Sequence, residues 1–160
     1  MSKDRLAALR VAAYRARGLG QIRTIPDALL LARMIAFGSC VPLLLRLPLD
    51  RMATVLTRPP AAVSIEPGAI DRQERLLALA VRVAHPLVRT GCLTRGLTLY
   101  WFLRRAGLDV DLRFGIDPGE QAAGDAHCWL TLDGEPINEK RDPRVHYLET
   151  YRLPRERPAR

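Results

Sequence analysis

Two kinds of hydrophobic periodicity divide the chain near Gly107. Upstream, apolar residues recur at three- and four-residue intervals, the spacing of one helix face; downstream they alternate, the spacing of one strand face. The segment 3–18 (KDRLAALRVAAYRARG) reads as a short basic amphipathic helix, punctuated by Gly18 and Gly20. Asp27 then opens ALLLARMIAFGSCVPLLLRL, the most apolar stretch of the chain. Arg33 interrupts it early and Pro42 would kink it, so it lacks the roughly 18 uncharged apolar residues of a transmembrane segment, and none is expected. Two helices broken around Gly38 to Pro42 are predicted instead, packed on the core or presenting an apolar groove to a partner protein.

The segment 58–69 (RPPAAVSIEPGA) carries three prolines and separates a helical N-terminal region, 1–57, from a core at 70–152. Asp71 and Glu74 form a capping-box pattern before a helix whose apolar positions are Leu76, Leu77, Ala80, Val83 and Ala84. Pro86 marks its end, with His85 as a C-terminal cap contact. A second helix is predicted from about Cys92 to Arg105, with Leu93, Leu97, Tyr100, Trp101 and Phe102 inside and Gly107 as its C-terminal cap. The alternating region then predicts strands at 110–116 and 127–132, a turn at Asp133-Gly134 and a return strand at 135–139. Helices first and an antiparallel sheet afterwards indicate an α+β fold, and residues 153–160 read as a flexible tail.

At 160 residues the chain is one domain's worth, with a near-average apolar content of 48% that excludes wholesale disorder. The net charge of +8 comes almost wholly from arginine, since Lys3 and Lys140 are the only lysines. That balance suits an acidic partner. Nucleic acid is not the expected one, because the arginines are not interleaved with aromatics and no zinc-finger or RNA-recognition pattern is present. Cysteines at 40, 92 and 128 make no disulfide framework, and no secretory signal pattern opens the chain, so reduced thiols and a cytoplasmic location are expected. No pair of residues has zinc-ligand spacing, and neither metal nor cofactor is expected. Cys40 reads as core and His146 as an exposed loop residue.

The candidate chemistry lies in two stretches, GCLTRGLTLYWFLRRAG at 91–107 and DAHCWLTLDGEPINEK at 125–140. Cys92 stands where a helix begins, and a helix N-terminus beside a histidine can bring a thiol from about 8.5 down to about 3.5–7.5. His127 opens a strand and shares a face with Trp129, while Cys128 points the other way and reads as packing. A thiol, an imidazole and an orienting polar group are the parts of a cysteine nucleophile, with helix-start amides available for an oxyanion. Hairpin parity leaves the orienting group open. A two-residue turn at Asp133-Gly134 puts Asn138 on the His127 face, whereas a bulged turn puts Glu139 opposite His127.

The pattern Cys-Leu, a helix ending Leu-Arg-Arg-Ala-Gly, a strand, then Ala-His-x-Trp-Leu-x-x-Asp-Gly-x-x-Ile-Asn-Glu resembles the lasso-peptide leader peptidases. The resemblance covers about residues 85–150 and implies a transglutaminase-like, papain-like core with the nucleophile at a helix N-terminus on a small antiparallel sheet. It implies a catalytic Cys92, His127 and Glu139, the last in place of the family's usual aspartate, and a substrate that is the leader of a ribosomal precursor peptide. Cys128 stands where that family commonly has a small residue. An ATP-dependent cyclase is the implied partner. The small leader-recognition domain often fused in such proteins is not legible here, so a separate recognition protein is expected. A transglutaminase-like amide transferase and a non-catalytic partner-binding module are the alternative readings.

Overall fold

The computed structural model describes residues 20, 22–57, 67–119 and 125–154. The expected basic helix at 3–18, most of the Pro-rich connection and residues 155–160 lie outside the described residues. Among the described residues four helices come first: α1 (Ile25–Leu44), α2 (Leu49–Leu56), α3 (Ala69–Ala84) and α4 (Cys92–Arg105). Then come β1 (Val110–Ile116), β2 (Ala126–Leu132), β3 (Glu135–Ile137) and, after a short 3-10 turn at Pro143–Val145, β4 (Leu148–Leu153). All pairings are antiparallel and the sheet order is β3-β2-β1-β4, so the fold is α+β.

The switch from helix to strand at Gly107 has a local cause. Gly107, at φ 90°, donates its N–H to the Arg104 carbonyl at 3.2 Å, and Leu108 donates to Leu103 at 3.1 Å. This is a Schellman closure, which satisfies the last carbonyls of α4 and turns the chain into β1. One face of the sheet then meets the helices: Leu112, Cys128, Leu130 and Leu153 pack into the same cluster as Leu97, Tyr100 and Leu103 of α4. Each fully buried leucine there contributes roughly 1.5–3 kcal/mol.

Helix α1 corrects the expected break at Gly38 to Pro42, because it runs unbroken for 20 residues. Pro42 sits in the last turn, where its missing N–H forfeits one hydrogen bond rather than a helix. Gly38 serves close packing, since a Cβ there would stand 3.0 Å from Val88 Cγ1. The chain breaks after Leu44 instead, and α2 starts beyond Pro48. Thr24, not Asp27, is the N-cap, accepting from the Asp27 N–H at 3.2 Å. Asp27 accepts in turn from the Arg23 N–H and pairs with Arg72 of α3 at 2.8 Å. By length and composition α1 could cross a membrane, yet Leu31, Met34, Gly38 and Val41 form a buried stripe along one side of it.

Three further expectations change. The capping box at Asp71 and Glu74 does not form: α3 begins at Ala69 after Gly68 in a left-handed conformation, which places Asp71 inside the first turn and frees Glu74 for another partner. Leu93, expected inside, is exposed on the first turn of α4. The strand β4 was not legible at all, and it claims Leu153 from the expected tail. Leu153 is fully buried and pairs with Leu112, while Glu149 takes an ion pair from Arg113 at 2.7 Å.

Candidate active site

The site lies where the start of α4 meets the start of β2. Cys92 is the first residue of α4, half-buried, with Sγ 3.9 Å from the Ala126 carbonyl oxygen. Gly91 supplies no side-chain cap and the first turn carries no acidic residue. The amides of that turn therefore lack both intrahelical acceptors and a competing carboxylate, which leaves the positive end of the helix at the thiol.

His127, the second residue of β2, places Nε2 3.3 Å from Glu139 Oε2. Its ring is held by a stack of aromatics, Trp129 at 6.2 Å with an interplanar angle of 17° and Tyr147 at 5.2 Å. Gly115 makes that stack possible, because a Cβ there would stand 2.9 Å from both Trp129 Cζ3 and Tyr147 Cβ. The small cavity at the centre, about 30 Å³, is lined by Cys92, His127, Cys128, Asn138 and Glu139 among others.

The route by which Glu139 reaches His127 combines both hairpin alternatives. The turn has two residues, with Asp133 at φ 53° and Gly134 at φ 84°, and Leu132 faces Glu135 with no bulge. Strict alternation would then favour Asn138. The ladder stops at Ile137, however, and Asn138 takes the left-handed region at φ 63°, a conformation asparagine tolerates better than most residues. One residue of reversal re-aims the chain and brings Glu139, not Asn138, to the imidazole. The Asn138 carbonyl accepts from Arg95 Nη2 at 2.9 Å, and the same nitrogen holds Glu74 at 2.6 Å. Arg95 thus braces α3, α4 and the exit of β3 around the site. Its one sequence signal is its place one turn into α4, three residues from Cys92.

Cys128 does face away from His127 and is buried, as strand alternation requires. That direction leads under the first turn of α4, where Gly96 admits it: a Cβ on Gly96 would be 2.8 Å from Cys128 Sγ. The Cys128 thiol beside Cys92 is the largest cause that brings the Cys92 pKa down to about 5, followed among the lowering causes by the Cys128 backbone N–H and the His127 imidazole, against burial. The Cys92 thiolate and burial in turn hold Cys128 protonated, so it stays a donor. An isolated glycine in a helix and another in a strand were the signals for close approach at Gly96 and Gly115.

Other residues stand apart. Cys40 is exposed on α1 rather than in the core, because it lies on the side opposite the Met34 and Val41 stripe. His85 occupies the C-cap of α3, and His146 is exposed. Among the described residues no group of three His, Cys, Asp or Glu side chains is arranged to hold a metal ion.

Residues 37–152 match the family model of the transglutaminase-like superfamily, a span that contains α4, the sheet except the last residue of β4, and Cys92, His127 and Glu139. No curated protein and no solved structure gives a match. With more than two thirds of its length inside the family model, the chain belongs to the transglutaminase-like superfamily, whose fold is generally that of cysteine-protease-type enzymes.

Proposed function

We propose that this chain is a cysteine peptidase that removes the leader from a ribosomally synthesised lasso-peptide precursor, working with a separate leader-recognition protein and an ATP-dependent cyclase. The observation that carries the peptidase reading is the convergence of Cys92, His127 and Glu139 on one small cavity at a helix start. The leader-peptidase specificity is supported by the motifs at 91–107 and 125–140.

The chemistry is acyl transfer. Glu139 engages Nε2 of His127, fixes the ring and leaves Nδ1 for the thiol and the substrate. Its proton passed to His127, the Cys92 thiolate attacks the scissile carbonyl carbon, and the unpaired amides at the start of α4 face the charge that develops on its oxygen. As the carbon–nitrogen bond breaks, the imidazolium of His127 gives its proton to the departing amine. Water then attacks the thioester while His127 takes its proton, which releases the carboxylate product and restores the thiolate.

Incubating the precursor with this protein and its recognition partner is expected to release the leader, and Cys92→Ala is expected to abolish release. Undiminished cleavage by that variant would remove Cys92 from the mechanism. An amine in place of water at the thioester would give amide transfer, and the product mass separates the two outcomes.

A further inference from the structure

Two open clefts flank the imidazole, and they differ in chemistry. The first runs between α3 and α4, about 770 Å³ in volume, with Leu77, Ala78, Val81 and Leu99 as its apolar lining, the charged Glu74, Arg75 and Arg95 beside them, and both Cys92 and His127 in its wall. The second, also about 770 Å³, is lined by Asp117, Lys140, Arg141, Asp142 and His146, and it touches His127 but not Cys92. Volumes of this size lie in the range of about 300–1,000 Å³ usual for ligand sites.

Acyl transfer assigns a direction to them. The carbonyl carbon becomes bonded to Cys92 Sγ, so the acyl half of the substrate must occupy space that Cys92 lines. The amine half accepts its proton from His127 and departs through space that His127 lines. One cleft meets the first condition, and the other meets the second alone. Glu74, Leu77, Ala78 and Val81 follow three- and four-residue spacing, so the first cleft is floored by one stripe of α3. The ion pair of Glu74 with Arg95 stands on its wall beside Cys92.

Resting on the acyl-transfer reading, we infer that the α3–α4 cleft is the acyl-side subsite and takes an aliphatic or aromatic side chain next to the scissile bond, while the polar cleft receives the amine side. The occupant is fixed by continuity with the nucleophile: whatever is acylated onto Cys92 has to lie against this stripe.

Three reagents test this without a native substrate: N-blocked leucine chloromethyl ketone, its serine counterpart, and iodoacetamide. With each ketone the Cys92 thiolate forms a sulfur–carbon bond and chloride leaves. The leucine reagent should inactivate at least about 10-fold faster than the serine reagent, the scale of discrimination an apolar pocket gives. Ala78 is exposed on α3, and Ala78→Arg puts a good helix former and a charge across the cleft. That variant should lose the leucine preference while Cys92 reacts with iodoacetamide at the wild-type rate. Equal rates for the two ketones, or a preference that survives Ala78→Arg, overturn the subsite. A Cys92 inert to iodoacetamide as well overturns the acyl-transfer reading beneath it.

Discussion

The two ends of α4 are built to opposite purposes from the same helix. At the C-terminus every device of closure is present: Gly107 and Leu108 return hydrogen bonds to the last turn, and the buried Arg104 donates to Asp109 and to the Val110 carbonyl. At the N-terminus closure is withheld, with no side-chain cap and no acid in the first turn. A side-chain cap would exceed the glycine that stands there by only roughly a few tenths of a kcal/mol. The chain forgoes that stabilisation where the helix meets Cys92, and the unsatisfied amides and nearby donors favour a thiolate instead. The difference teaches that one end of α4 sets stability and the other sets reactivity, and substitutions should separate the two.

The largest effect is expected from His127→Ala, which should lower kcat/KM for leader release by about 10²–10⁴-fold, the usual contribution of a general acid–base, with the thermal midpoint little changed. Glu139→Gln should follow at a smaller loss and Asn138→Ala at a smaller one still, because Glu139 alone reaches the imidazole. A kinetic comparison in which Asn138→Ala is the more damaging would reassign the orienting residue. At the other end of the helix, Gly107→Ala should cost about 1–2 kcal/mol by forcing a Cβ into the left-handed region, read by denaturant unfolding, with the alkylation rate of Cys92 unchanged.

That division also explains what the sequence disclosed. Cys92 at a helix start, Gly107 at the helix end and His127 beside Trp129 on one strand face were legible, because capping and alternation are local rules. The strand β4 was not: LETYRL runs along an edge of the sheet with its first three residues exposed, so it never alternates cleanly. Nor was the continuity of α1, where Pro42 falls in the last turn, a position that a breaker rule alone does not resolve. The resemblance implies Glu139, whereas hairpin parity reaches Glu139 only through a bulge. A single left-handed residue at Asn138 does the work, and its conformation depends on tertiary partners such as Arg95 that lie far off in the chain.

Cys128 tests the reactive end more finely. With the Cys92 pKa at about 5, its alkylation rate should hold steady through neutral pH and fall as pH drops through about 5. Cys128→Ala removes the neighbouring thiol, the largest cause of that depression, so the midpoint should move up toward the ordinary thiol value of about 8.5. Cys128→Ser keeps a donor and should hold the midpoint low. Equal profiles in all three proteins would assign the low pKa to the Cys128 backbone N–H, His127 and the helix start, with no part for the Cys128 thiol.

The smallest expected effect bears most directly on the contrast between the two ends. Gly91 has extended backbone angles and open space around its Cα, so a side chain fits there without strain. Gly91→Asp would install the missing cap. Aspartate at an N-cap exceeds glycine by a few tenths of a kcal/mol, and its charge at the helix start adds about 0.3–1 kcal/mol. The thermal midpoint should therefore rise slightly. The same carboxylate would compete for the amides that face Cys92 and would repel its thiolate, so the pH midpoint of alkylation should rise as well. A variant that gains stability while keeping the low midpoint would show that the helix start contributes little to the thiolate, leaving Cys128 and His127 as its sources.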